Sequence, residues 1–324
     1  MIVSIALILL GFALLMYGGD KLVEGAVAVA KKLDMPPLVI GVVLVGFGTS
    51  VPELVTSIEA ALNGAEGISI GNVIGSNIAN VLLVAGAGAL LIPVGKPAKG
   101  FKRDSIVMTI ATVMFIASAY AGLITRTVGA MYVAFLVLYI IYTIVSERRR
   151  RSFHDAAAKA EVEEVLEDAE FKSSTFFALL VTFFGIGLTI GGAKALVMGA
   201  TDIAMAFGIS ETVIGVTIVA LGTSLPELAT AVAAGLKGES DVSIGNIIGS
   251  NIYNILAILG ITSLIVPLSI EPIVLQFDLW VMVAATAAMI IIPLTIKRIS
   301  RITGGIFVAA YFAYLVSVYV MFVA

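Results

Sequence analysis

Gly48-Thr49-Ser50-Val51-Pro52-Glu53-Leu54 returns 174 residues later as Gly222-Thr223-Ser224-Leu225-Pro226-Glu227-Leu228, each time inside an apolar stretch long enough to cross a bilayer. A glutamate at membrane depth costs at least about 2.5 kcal/mol and by default marks an ion or substrate pathway. Pro52 has no N–H to give to the carbonyl of Gly48, and its ring crowds that carbonyl. The pattern predicts a helix that breaks or kinks over 46–52, leaving carbonyl oxygens near Gly46 to Gly48 unpaired. Unpaired backbone is tolerated in a membrane only where it is buried in protein or lines a polar cavity. At helical spacing Gly46, Thr49, Glu53 and Thr56 share one face. Two such copies imply a cation pathway.

Working outward, the 324 residues are 60% hydrophobic and only 13% charged. A soluble domain is about half apolar and about a quarter charged. Apolar runs of about 20 residues cross the hydrocarbon core as helices. Ten spans are expected, near 2–29, 36–62, 68–92, 105–124, 127–146, 174–206, 211–236, 242–266, 276–296 and 303–323. The fold class is therefore an all-α integral membrane protein. There is no cysteine, which excludes disulfides and thiolate metal sites. The apolar start, Met1 to Gly19, lacks a basic leader and a clear cleavage site, so it is read as a span.

Aligning 36–93 with 210–267 at the constant offset of 174 gives 29 identities in 58 positions. Gly11, Gly18, Leu22, Val23 and Gly25 likewise pair with Gly185, Gly192, Leu196, Val197 and Gly199. Each copy holds five spans. An odd number means that the second copy enters the membrane from the opposite side, giving two inverted five-helix repeats, 1–146 and 174–324. Such repeats belong to secondary transporters, with the site at the repeat interface near the midplane. With the N-terminus outside, 16 of the 19 Lys and Arg fall on inward connections. Cationic residues favour the cytoplasm, which places both termini outside and the 147–173 connection inside, in a plasma membrane. That connection runs from Glu147-Arg-Arg-Arg-Arg151 through an acidic stretch, 161–168, and carries the only histidine, His154. It reads as a solvated charged face, since no loop-type calcium motif is present.

The candidate ligands are hard oxygens. Glu53 and Glu227 supply carboxylates; Thr49, Ser50, Thr223 and Ser224 supply hydroxyls; Gly46 and its offset partner Ala220 supply carbonyls. Ca²⁺ takes about six to eight such oxygens in flexible geometry. Two carboxylates neutralise one Ca²⁺ or two Na⁺. In the third span Ser69, Asn72, Ser76 and Asn80 form a polar stripe, copied as Ser243, Asn246, Ser250 and Asn254 in the eighth. Gly71, Gly75, Gly245 and Gly249 are small enough to let neighbouring helices approach. Asn77 and Asn251 lie off the stripe and are expected to satisfy backbone or the broken helices. A lone Ser or Asn in a span is ordinarily an interhelical hydrogen bond. Duplicate Glu-Pro-Thr sets facing duplicate Asn/Ser stripes are not explained by packing. Asp20, Lys21 and Glu24 have no charged counterparts in the second copy and read as interfacial, snorkelling residues. Glu59 is expected at the outer mouth, and Asp104 and Asp278 at span ends.

Gly48-Thr-Ser-Val-Pro-Glu53 followed by Gly71-Asn-Val-Ile-Gly-Ser-Asn77, both duplicated, closely resembles the α-repeats of the calcium:cation antiporter superfamily, in its prokaryotic sodium/calcium exchanger branch. The resemblance covers all ten spans. It implies alternating access, with the first and sixth spans sliding over a fixed eight-helix core. It also implies a central Ca²⁺ site of Thr49, Glu53, Thr223 and Glu227, flanked by Na⁺ sites drawing on Ser50, Ser76, Asn80, Ser224, Ser250 and Asn254. Potassium-dependent members carry an acidic residue where Asn254 stands, and proton/calcium members a different Gly-Asn-x-x-Glu motif. The long calcium-sensing loop of animal exchangers is absent.

The expectation is a cation antiporter exchanging Na⁺ for Ca²⁺, needing no cofactor, embedded in lipid and binding no nucleic acid. An H⁺- or Mn²⁺-linked exchanger is the alternative in the same class, and a gated cation channel the alternative outside it. A hydrolase would need a nucleophile and base, yet there is no Cys and the one His lies in the connection.

Overall fold

Apolar windows and their polar interruptions become twelve helices, α1 to α12, and one small sheet in the computed structural model, which describes residues 1–93, 95, 100–152, 174–207 and 220–322. The first half gives α1 (Ile2–Lys32), α2 (Pro37–Thr49), α3 (Val51–Leu62), α4 (Glu66–Leu91), α5 (Phe101–Ala121) and α6 (Arg126–Ser152). The second gives α7 (Thr175–Ala206), a single turn α8 (Ala220–Thr223), α9 (Leu225–Leu236), α10 (Ser240–Ile265), α11 (Asp278–Ile296) and α12 (Arg301–Phe322). Eight of these are long and apolar enough to cross a membrane, and α2 with α3 makes a ninth, bent by 41°. Residues 211–219 of the expected seventh span, and 153–173 of the connection with His154 and the acidic stretch, lie outside the described residues.

The bend stands where the proline predicts it. Ser50 is the hinge (φ −85°, ψ 4°), and Pro52 occupies the first turn of α3, where its missing N–H costs nothing. Ser224 adopts nearly the same conformation before Pro226 (φ −88°, ψ 3°). One expectation needs correcting: the Gly46 carbonyl is not left free. The backbone N–H of Ser50 donates to it at 3.3 Å and the Ser250 hydroxyl lies 3.4 Å away.

The centre of the molecule is α4 and α10, whose apolar windows are 83% and 89% buried, against 28% for α1. Each contains a π-helical segment, Asn80–Ala85 and Asn254–Leu259, opening on the asparagine of its stripe. A third, Gly41–Val45, precedes the hinge in α2. Single π turns recur at functional sites. α10 packs on α2 through its glycines: a Cβ at Gly249 would stand 2.8 Å from the Val42 carbonyl oxygen. Gly71 and Gly75 meet nothing within 4 Å among the described residues, so on α4 the expected close approach is not found.

α1 and α7 lie antiparallel at the periphery, packed through small residues. A Cβ at Gly18 would stand 2.8 Å from that of Leu188, and one at Gly192 2.8 Å from the backbone nitrogen of Leu15. Only a bare backbone permits such approach, which in lipid replaces hydrophobic driving force with contact. A two-residue antiparallel pairing, Leu123–Ile124 with Leu268–Ser269, joins the α5–α6 and α10–α11 connections.

Candidate functional site

The hinge at Ser50 ends α2 at Thr49 and starts α3, so Thr49, Ser50 and Glu53 converge from one broken helix. Thr223, Ser224 and Glu227 do the same at the break between α8 and α9. Glu53 and Glu227 are each only 1% exposed and stand close enough to interact electrostatically.

The stripe of α10 faces the broken helix of the first half. Thr49 Oγ1 lies 3.1 Å from Asn246 Oδ1, 3.4 Å from Ser250 Oγ and 3.2 Å from its own helix at the Val45 carbonyl. Ser250 Oγ also lies 3.4 Å from Glu227 Oε1. Ser50 Oγ is buried there without a hydrogen-bond partner. The two halves thus interlock at one place.

On α4 the stripe divides its work. Asn72 Nδ2 donates to the Glu53 carbonyl (3.2 Å) and to Ser57 Oγ (3.0 Å), so it fixes the start of α3. Ser76 and Asn80 lie buried further along α4. Asn77 donates to the Val73 carbonyl at 2.8 Å, as expected of a residue off the stripe. Asn251 does not follow: it is buried, and neither side-chain atom has a hydrogen-bond partner.

What most sets this region apart is its unpaired oxygen. Ser50 Oγ, Glu53 Oε2 and Asn80 Oδ1 are buried without a hydrogen-bond partner, and so are their offset counterparts Ser224 Oγ, Glu227 Oε2 and Asn254 Oδ1. An unsatisfied buried polar group costs about 1–3 kcal/mol, and a charged one more. These six oxygens, two of them on the glutamates, are hard donors of the kind a cation takes. Among the described residues no cluster of three acidic or imidazole side chains gathers anywhere, so the anionic charge available at this site is that of the two glutamates.

Of the remaining expected ligands, Thr223 is half-buried at the end of α8, and Gly46 is buried beside Gly249 and Ser250. The side chain of Ala220 lies outside the described residues. The contribution of Asn246 was visible only as stripe membership. Its engagement with Thr49 depends on how closely α10 approaches α2, which spacing does not encode.

The outlying charges find partners. The Asp20 carboxylate, half-exposed, pairs with Lys237 at 2.8 Å, and Lys21 pairs with Glu24 at 2.7 Å. Asp104 does sit at a span end, but buried. Arg103 Nε and Nη2 donate to its two oxygens at 2.6 and 3.0 Å, and the Tyr139 hydroxyl donates at 2.8 Å. Asp278, in the first turn of α11, accepts from the Tyr314 hydroxyl at 3.0 Å.

The chain resembles known proteins over nearly its whole length. The family described as sodium/calcium exchanger protein matches residues 3–146 and again 177–320. The chain is 36% identical to the protein CaxA of Alkalimonas amylolytica over 317 residues, covering 97% of this chain and 98% of that one. It is 35% identical to the sodium/calcium exchanger MaX1 of Methanosarcina acetivorans, with 97% and 98% covered. It superposes on the solved structure of the sodium-calcium exchanger NCX_Mj soaked with 2.5 mM Na⁺ and 0.1 mM Ca²⁺ with a TM-score of 0.81, at 31% identity and with 98% and 99% covered. A buried two-glutamate site in a helical membrane protein, and likeness over nearly the whole chain, lead to one conclusion: this chain belongs to the sodium/calcium exchanger family and is a membrane antiporter of cations, not an enzyme.

Proposed function

We propose that the chain exchanges Na⁺ for Ca²⁺ by alternating access to one midplane site. The observation that carries this reading is the paired set of orphan oxygens on Ser50, Glu53, Asn80, Ser224, Glu227 and Asn254. Glu53 and Glu227, with Thr49 and Thr223, hold Ca²⁺. Ser50, Ser76, Asn80, Ser224, Ser250 and Asn254 complete flanking Na⁺ positions, and the carbonyls of Gly46 and Ala220 contribute from the broken helices. The two carboxylates balance one Ca²⁺ or two Na⁺, so the ions compete for overlapping oxygens and one leaves as the other enters. An Asn at 254, in place of a third carboxylate, argues against K⁺ co-transport.

The architecture in this reading is ten spans in two inverted repeats, 1–146 and 174–324, joined by the 147–173 connection. Its support is positional. Helix limits recur at the constant offset of 174: Val51–Leu62 with Leu225–Leu236, Asn80–Ala85 with Asn254–Leu259. The expected seventh span, 211–236, is represented among the described residues by α8 and α9. The positive-inside distribution puts both termini outside and the connection in the cytoplasm, in a plasma membrane.

Flux in proteoliposomes tests the coupling ion. Ca²⁺ uptake that requires internal Na⁺ and is lost in Glu53→Gln supports Na⁺/Ca²⁺ exchange. Uptake driven only by a pH jump moves the coupling to H⁺, and Mn²⁺ uptake in preference to Ca²⁺ replaces the cargo.

A further inference from the structure

α1 is held against α9 at one end of the site. A Cβ at Gly19 would stand 2.8 Å from the Ala229 carbonyl oxygen and 3.4 Å from the Ala233 Cβ. One turn on, Lys237 pairs with the Asp20 carboxylate at 2.8 Å and donates to the Asp20 carbonyl at 3.0 Å. Lys21 points to Glu24 instead and does not compete. The face of α9 that α1 covers is thus 229 and 233, with Lys237 tied to α1 at its exposed end. Displaced by 174, it is Val55, Glu59 and Asn63 on α3, and there it is bare: Val55 is 57% exposed, and Glu59 and Asn63 are exposed too. The counterparts of Gly19 and Asp20 are Ala193 and Lys194 on α7. Lys194 is exposed, and neither it nor Glu59 makes an ion pair among the described residues.

We infer that Asp20–Lys237 is a latch that holds α1 shut over α9 in this state, and that Lys194 and Glu59 form its counterpart, with reversed sign, when α7 closes over α3. The inference rests on the alternating-access reading above. Because α1 and α7 are packed backbone to backbone through Gly18 and Gly192, they move as one unit. Opening at Lys237 and closing at Glu59 are then a single displacement. The side chains of Lys237 and Asp20 are 30% and 47% exposed. Water at the pair keeps the latch weak enough to open in every cycle, since exposed ion pairs are screened. The charges have no repeat-related need to differ in sign, because Asp20 is matched by Lys194 and Lys237 by Asn63. Glu59, one turn before Asn63, restores a partner for the lysine.

The chain has no cysteine, so single thiols report cleanly. Val55→Cys in nanodiscs, reacted with a hydrophilic maleimide, measures how often the α3 face is bare. Asp20→Asn and Lys237→Gln should each lower the labelling rate about two- to fivefold, the range of one partly exposed ion pair. The exchange of charges, Asp20→Lys with Lys237→Asp, should restore it. In the Asp20→Asn background, Glu59→Gln should return the rate toward the parent value by weakening the opposite closure. Labelling that is unchanged in Asp20→Asn and Lys237→Gln, in protein that still transports, overturns the latch. Labelling shifts without restoration by the charge exchange also overturn it, as does a Glu59→Gln variant without effect. The readout needs no flux, so shifts as predicted in a protein that exchanges no cation would leave the latch standing and defeat the transport reading.

Discussion

Glu53 and Glu227 each keep one carboxylate oxygen without a hydrogen-bond partner although solvent scarcely reaches either side chain. A charge so placed is stable only with an opposite charge beside it, since removing one partner of a buried pair costs about 3–5 kcal/mol. Glu53→Gln or Glu227→Gln removes half the site's anionic charge while keeping its shape. Either should reduce exchange at least about a hundredfold in proteoliposomes, matching a loss of about 3 kcal/mol, with the protein still monodisperse in detergent. Thr49→Ala removes a hydroxyl that meets Asn246 and Ser250, the latter 3.4 Å from the Glu227 carboxylate. It should weaken apparent Ca²⁺ affinity about five- to a hundredfold, the range of one buried hydrogen bond of about 1–3 kcal/mol, read from the substrate dependence of uptake. Asn254→Asp adds a carboxylate to the same oxygens and should change ion selectivity more than expression, measured by competition between cations; an unchanged profile removes Asn254 from the ligand set. At this scale the duplicated Glu-Pro-Thr spacing was legible because it is local. Asn251 was not: its unpaired amide depends on neighbours that spacing does not name.

The broken helices were legible because proline acts on its own turn, and the hinge at Ser50 follows Pro52 wherever the chain is placed. The π turns at Asn80 and Asn254 were not, since a single wide turn leaves no mark in a 3.6-residue period. Nor was the burial of Asp104, which depends on Tyr139 from the neighbouring helix α6. That cluster makes a prediction about the fold rather than the ions. Asp104→Ala leaves Arg103, itself only 16% exposed, with its longer pair to Glu147 at 3.3 Å and takes the acceptor from Tyr139, and should lower stability by about 1–3 kcal/mol. The check is thermal unfolding in detergent beside flux per folded molecule, which should change far less than stability. The α1–α7 contact gives the complementary case. Gly18→Leu inserts a side chain where even a Cβ would collide with Leu188, so the two helices must separate. Transport should fall while α4 and α10, which make the core, stay folded.

For the whole molecule, the constant offset of 174 residues was legible from the first motif. The contacts that differ between the halves were not legible. α1 covers Ala229 and Ala233, but α7 leaves Val55 bare, and which of two related closures is made is a property of the state rather than of the repeat. A cation bound by the folded protein alone should also stabilise it as a whole. At a hundred times its dissociation constant Ca²⁺ adds about 2.7 kcal/mol, visible as a raised melting temperature that Glu227→Gln abolishes. The central claim is that one two-carboxylate site serves both ions. Its most direct test is radioactive Ca²⁺ uptake into Na⁺-loaded proteoliposomes diluted into Na⁺-free buffer, with K⁺-loaded vesicles and Glu53→Gln alongside. The account predicts uptake that requires internal Na⁺ and disappears in the variant; uptake that persists in Glu53→Gln would contradict it.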